Sequence, residues 1–125
     1  MGSAGVGELI QMAKALYVAY FTGVAGQSIG LFYIGDGMLV GVDVATMQYD
    51  GSYQTKGDGS LEGVVEYTLP AGVSLITGAP AGVAPTTVSV KLTLPADFAD
   101  GRVITIETPL GPVNAKFEKV RDIPS

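Results

Sequence analysis

Between Gln27 and Tyr53 the chain reads QSIGLFYIGDGMLVGVDVATMQYDGSY: two apolar runs joined by Gly35-Asp36-Gly37, then a Tyr-Asp-Gly-Ser-Tyr segment. Asp-Gly supplies the positive φ values of a tight two-residue turn, so the flanking runs read as antiparallel neighbours. The stretch is one continuous meander of three strands, and the rest of the chain extends it.

The same grammar repeats on either side. Strands are expected over Tyr17–Thr22, Ser28–Ile34, Met38–Val42, Tyr49–Gln54, Leu61–Thr68, Thr86–Leu94, Arg102–Thr108 and Val113–Val120. Turns fall at Gly23–Gly26, at Lys56-Gly57-Asp58-Gly59, at Pro95–Phe98, at Asp100-Gly101 and at Pro109–Pro112. Thr86–Leu94 alternates most cleanly, with Val88, Val90, Leu92 and Leu94 opposite Ser89, Lys91 and Thr93. About eight short strands at near-regular spacing, joined by Gly-containing turns, indicate an all-β antiparallel sandwich or barrel. The turns are short and consecutive, which favours an up-and-down barrel, a closure that also removes exposed edges.

Three segments fall outside this pattern. Met1–Gly7 is a small, Gly-rich leader, and Glu8–Leu16 reads as a short helix with Leu9, Met12, Ala13 and Leu16 on one face. That helix is too short to persist unless it docks. Leu69–Pro85 is irregular; Val73–Thr77 can form a short strand inside it, and the connection suits a binding loop or an inert one equally. The organisation read from this is a leader and short helix over 1–15, a single barrel domain over 16–120 and a polar tail over 121–125.

Composition excludes much chemistry. A chain of 125 residues is one domain with a real core, and its 47% hydrophobic content can fill that core. There is no Cys and no His. This removes the usual zinc sites, a cysteine nucleophile, a Ser-His-Asp triad and a histidine base. No metal, cofactor or catalytic residue is assigned. Without Cys no disulfide can form, and the chain shows no adaptation to an oxidising compartment. Secretion is the alternative, because Lys14, Ala15–Val24 and Ala25-Gly26 approximate a signal peptide, although Tyr17 and Tyr20 interrupt its apolar run. A net charge of −5, with scattered basic residues, disfavours nucleic acid. No apolar run is long enough for a membrane-spanning helix.

Strands one and two are apolar on both faces, which signals burial on both sides. A homodimer through this wall is the expected cover, with Val18, Tyr20, Phe32 and Ile34 as its face. Asp43, between apolar neighbours, reads either as a general base or ligand contact, or as a carboxylate that hydrogen-bonds the chain where a strand ends. The second reading is favoured because no other catalytic group lies nearby. Glu62 and Glu66 lie roughly 13 Å apart along a strand, too far to share a substrate. A barrel of this size is either filled by side chains or holds one small ligand. Tyr17, Tyr33, Asp43, Tyr49, Tyr53 and Tyr67 are the candidate lining of such a cavity. The competing reading packs the tyrosine rings in the core with their hydroxyls at the rim.

Three stretches together resemble the GrlR-like family of negative regulators of type III secretion gene expression. They are Leu16-Tyr17-Val18-Ala19-Tyr20-Phe21; Gly35 to Asp43 followed by Tyr49-Asp50-Gly51-Ser52-Tyr53; and Leu92-Thr93-Leu94-Pro95 with Asp100-Gly101-Arg102-Val103-Ile104 and Ala115-Lys116-Phe117. The resemblance implies a lipocalin-like barrel of about eight strands, a dimer, and a cytoplasmic protein that acts by binding, for which a transcriptional activator is the expected partner. The loop corresponding to the family's partner contact is Lys56, Gly57, Asp58 and Gly59. It carries one acid and one base where the family's pattern has an acidic run. The reading is therefore a non-enzymatic binding or regulatory protein that sequesters a transcriptional regulator, with a barrel for a small apolar ligand as the alternative.

Overall fold

The computed structural model describes residues 14–72, 76–78 and 82–124. Eight strands follow one another: β1 Ala15–Gly23, β2 Gly26–Gly35, β3 Met38–Asp43, β4 Gln48–Thr55, β5 Leu61–Leu69, β6 Thr86–Leu94, β7 Asp100–Thr108 and β8 Gly111–Asp122. All pairings are antiparallel, and the order across the sheet is β6-β5-β4-β3-β2-β1-β8-β7. The first six strands form a simple meander. The last two return to the other side of β1, so the sheet curls into a barrel-like wall with a seam between β6 and β7. Side chains bridge that seam: Ile106 of β7 packs on a cluster of Leu69, Val88 and Val90.

The turns explain the meander. Asp36 and Gly37 both have positive φ, at 53° and 75°, as the tight β2–β3 hairpin requires. Lys56 and Ser60 close the β4–β5 hairpin through Lys56 N–H to Ser60 O at 2.8 Å. Asp100-Gly101, expected as a hairpin tip, instead lies inside β7. There the register against β8 shifts between Asp100 and Val103. The reversal occurs earlier, at Pro95–Ala99, where Phe98 N–H donates to Pro95 O. An Asp-Gly pair serves a bulge as readily as a turn, because both need a left-handed residue.

Residues 8–13 of the expected N-terminal helix lie outside the described residues. Its expected end is corrected: Ala15 and Leu16 belong to β1, where Ala15 pairs with Ile34 and with Asp122. The sheet edges reach further than expected, since Ile123 N–H still donates to Lys14 O. Most of the expected Val73–Thr77 strand lies outside the described residues, and Ile76 and Thr77 form a turn.

Alternation sorts the side chains. Ala15, Tyr17, Ala19, Phe32, Ile34, Leu39, Val65, Leu94, Ala115 and Phe117 point inward and build the core together with Phe98 from the β6–β7 turn. Phe32 is its hub, with ring centroids 5.8 Å from Phe21, 5.3 Å from Tyr49 and 6.3 Å from Phe117. Its ring fills the space over Gly30 and Gly41, where a β-carbon would collide with it. Small residues beside large ones let a tightly curled wall close around an aromatic core.

The expected association face needs correction. Directly opposed residues of an antiparallel pair share a face. Val18 opposes Leu31 and Tyr20 opposes Ile29, whereas Phe32 opposes Tyr17. Phe32 and Ile34 are therefore interior, only 3% and 2% exposed. The outward apolar row is instead Val18, Tyr20, Ile29, Leu31 and Val42, with Leu31 and Ile29 each 45% exposed.

Candidate functional site: an apolar cavity at one end of the wall

The two ends of the interior are built differently. At one end Phe98 enters from the Pro95–Ala99 turn and packs at a tilt on Tyr17, with ring centroids 5.1 Å apart, and edge-to-face on Phe117 at 5.6 Å. With Ala15, Ile34 and Leu94, these side chains fill that end. The opposite end holds a cavity of about 300 Å³. Its walls are mostly Phe21, Phe32, Leu39, Val65, Val90 and Phe117, and Ser28, Tyr67, Thr77 and Thr108 stand around it. The inward periodicity of the strands explains the apolar walls. Among the described residues, Ile76 and Leu110 reach the cavity from the connections at this end, and no aromatic side chain enters from a turn there as Phe98 does at the other.

Asp43, 7% exposed, is the sole charged residue of that lining among the described residues. It ends β3, and its carboxylate organises the link to β4. Oδ1 accepts from Ala45 N–H at 2.9 Å and from Met47 N–H at 3.0 Å. The main chain closes the same loop, with Asp43 N–H donating to Met47 O at 3.1 Å and Thr46 N–H to Asp43 O at 2.9 Å. Thr46 takes a positive φ of 66° within it. Oδ2 accepts from the Tyr49 hydroxyl at 2.9 Å. Three donors satisfy the carboxylate, which is what a buried charge requires. This arrangement is the chain-bonding reading of Asp43, and the same side chain also lies on the cavity.

The tyrosines separate into three environments. Tyr49 and Tyr67 line the cavity with their rings 5.2 Å apart. Burial is the main cause that pushes the Tyr49 phenol well above its ordinary value, and its bond to Asp43 adds to this. Burial also raises Tyr67. Tyr17 and Tyr53 pack at the filled end and do not reach the cavity. Burial raises both of their phenols, and Lys119 partly offsets the rise at Tyr17. Tyr33 points outward, where its hydroxyl donates to Asp36 Oδ2 at 2.9 Å. Of the six candidate ligand residues, the fold thus brings together Asp43, Tyr49 and Tyr67. Tyr33 is on the wrong face because it is in register with Leu16 and Val40, not with the interior positions.

The candidate partner loop is exposed, and its charges are engaged locally. Lys56 lies 3.6 Å from Glu62, and Asp58 accepts from Ser60 N–H at 3.0 Å and from Ser60 Oγ at 2.6 Å. The Ser60 hydrogen bonds hold the Asp58 carboxyl below its ordinary value. Gly57 and Gly59 flank Asp58, so its carboxylate is the one side chain at the very tip. No group of three or more acidic side chains that could hold a metal ion occurs among the described residues.

The sequence reading did not single out Phe21, Phe32, Phe117 or Phe98 as builders of the site. The first three were accessible from alternation once the inward phase of each strand was fixed. Phe98 carried a weaker signal, the one aromatic residue in the turn of small residues and Asp97 after Pro95.

No protein-family model, curated protein or solved structure matches this chain.

Proposed function

We propose that this chain is a non-enzymatic binding protein that holds a small apolar molecule within its β-wall. The observation that carries this reading is the cavity of about 300 Å³ at one end of an otherwise well-filled interior. Its volume is at the lower bound of the roughly 300–1,000 Å³ typical of small-molecule sites, and its walls are apolar with few polar groups. A well-packed core has no use for such a space, since voids forfeit dispersion contacts. The uncharged dye N-phenyl-1-naphthylamine tests the reading: it should bind one-to-one with a blue shift in emission. Val90→Phe or Ile106→Phe, each filling the cavity from a different strand, should abolish uptake while circular dichroism keeps its β signature. A folded wild-type chain that takes up no dye would overturn the proposal.

A second reading, regulation by protein contact, is favoured by the outer face of β1 to β3. Tyr20, Ile29, Leu31 and Val42 make a continuous exposed apolar surface across three paired strands. The outer faces of β4 to β8 carry Asp50, Glu62, Glu66, Lys91, Glu107 and Glu118. Charges at those positions are costly on a lipid-facing barrel wall. The apolar face therefore suits a homodimer, or a protein partner such as a transcriptional activator. Light scattering after size exclusion should give twice the chain mass, and Leu31→Lys should return it to the monomer value. A monomeric wild-type chain would remove the homodimer.

A further inference from the structure

Resting on the ligand-binding reading, we infer that the cavity selects uncharged apolar molecules over their carboxylate analogues, and that the Tyr67 hydroxyl meets the ligand's single polar end. The first support is the charge inventory of the lining. Among the described residues neither lysine nor arginine borders the cavity, and the one charged side chain there is the Asp43 carboxylate. An anionic headgroup drawn inside would lose hydration with no cation to replace it, and would face a like charge. An ammonium group gains little, because Asp43 is already bound by Ala45, Met47 and Tyr49.

The second support is the state of the polar groups. Tyr49 spends its proton on Asp43, and Thr108 spends its own on Gly111 O at 2.6 Å. Ser28 and Tyr67 differ: neither hydroxyl has a hydrogen-bond partner among the described residues. Of the two, Tyr67 is the phenol, the stronger donor, and its ring lies against Tyr49. Its oxygen is not sealed away, since no buried side-chain polar atom lacks a partner among the described residues. Tyr67 is therefore a donor on an apolar cavity that has not been used by the fold. An alcohol, aldehyde, ketone or ester oxygen is the acceptor that fits it. The size of the occupant follows from volume. An engineered cavity of about 150 Å³ holds benzene, so this space encloses on the order of a dozen non-hydrogen atoms, and a larger occupant such as the dye projects through its open mouth.

The test compares 1-decanol, methyl decanoate, sodium decanoate and decylammonium chloride at pH 8, by displacement of N-phenyl-1-naphthylamine from the full chain. Decanol and methyl decanoate should displace the dye, and decanoate should need at least about ten times the concentration. The methyl ester keeps the carboxyl shape and removes the charge, so it isolates the electrostatic cause. Tyr67→Phe should weaken decanol by about three- to tenfold, the value of one neutral hydrogen bond. Decanoate or decylammonium binding as tightly as decanol would overturn the selectivity while leaving the cavity as a binding site. An unchanged decanol affinity in Tyr67→Phe would overturn the role of that hydroxyl. Failure of the dye and of all these ligands would remove both this inference and the reading beneath it.

Discussion

The Tyr49 hydroxyl donates to Asp43 Oδ2 at 2.9 Å, joining the end of β3 to the inward face of β4 across a six-residue separation. The carboxylate's other oxygen already holds Ala45 N–H and Met47 N–H. One side chain thus sets the loop between two strands and fixes an aromatic wall of the cavity. Asp43→Ala should leave these three donors without their acceptor and destabilise the fold by about 2–4 kcal/mol. Asp43→Asn keeps an acceptor for the two backbone N–H groups and should cost less. Urea denaturation of the three proteins checks the order; equal stability of Asp43→Ala and wild type would contradict it.

Alkaline pH should weaken the fold. The Tyr49 phenol is raised above its ordinary value of 10.0, first by burial and then by the Asp43 bond. Its folded form therefore keeps a proton that the unfolded chain releases. The sign follows from linkage: this contribution is complete below pH 10 and is lost as pH rises toward the folded value, by up to about 1.4 kcal/mol per pH unit. Urea midpoints at pH 8, 9, 10 and 11 should be flat and then fall. Tyr49→Phe should fall less steeply, and an identical slope in that variant would contradict the assignment.

Two glycines in the same hairpin should respond very unequally to alanine. A β-carbon at Gly63 would collide with the carbonyl oxygen of Ser52 and the backbone of Tyr53, neither of which can rotate away. A β-carbon at Gly57 would meet nothing within 4 Å. Gly63→Ala should therefore cost about 1–3 kcal/mol through strand displacement. Gly57→Ala should change stability by less than about 0.5 kcal/mol, as exposed substitutions usually do. Thermal melts of the pair give the comparison directly.

Phe98 closes the filled end of the interior and touches Tyr17 and Phe117. Phe98→Ala should cost about 3–5 kcal/mol, the combined loss of transfer energy and packing. It should also open a second space, seen as additional dye uptake that Val90→Phe does not block. Phe98→Leu should recover most of the stability. A variant as stable as wild type would show that another side chain can plug this end.

The strand content was legible in the sequence because alternation and Gly-containing turns are local signals. Asp36-Gly37 determined a hairpin, since few other residue pairs adopt two successive left-handed conformations. Thr86–Leu94 determined a strand with one wet face, because Lys91 and Ser89 cannot share a side with Val88 and Val90. The two apolar faces of β2 were equally visible. Which face was interior was not, because that depends on register with β1 and β3: opposite Tyr17 and Gly41, Phe32 turned inward and carried Ile34 with it. Tertiary structure alone decided that Tyr33 faces outward while Tyr49 and Tyr67 meet at one cavity. The same is true of the difference between the two ends, where Phe98 fills one and, among the described residues, no turn aromatic fills the other. Periodicity assigns a residue to one of two sides, but curvature and strand order decide what each side encloses.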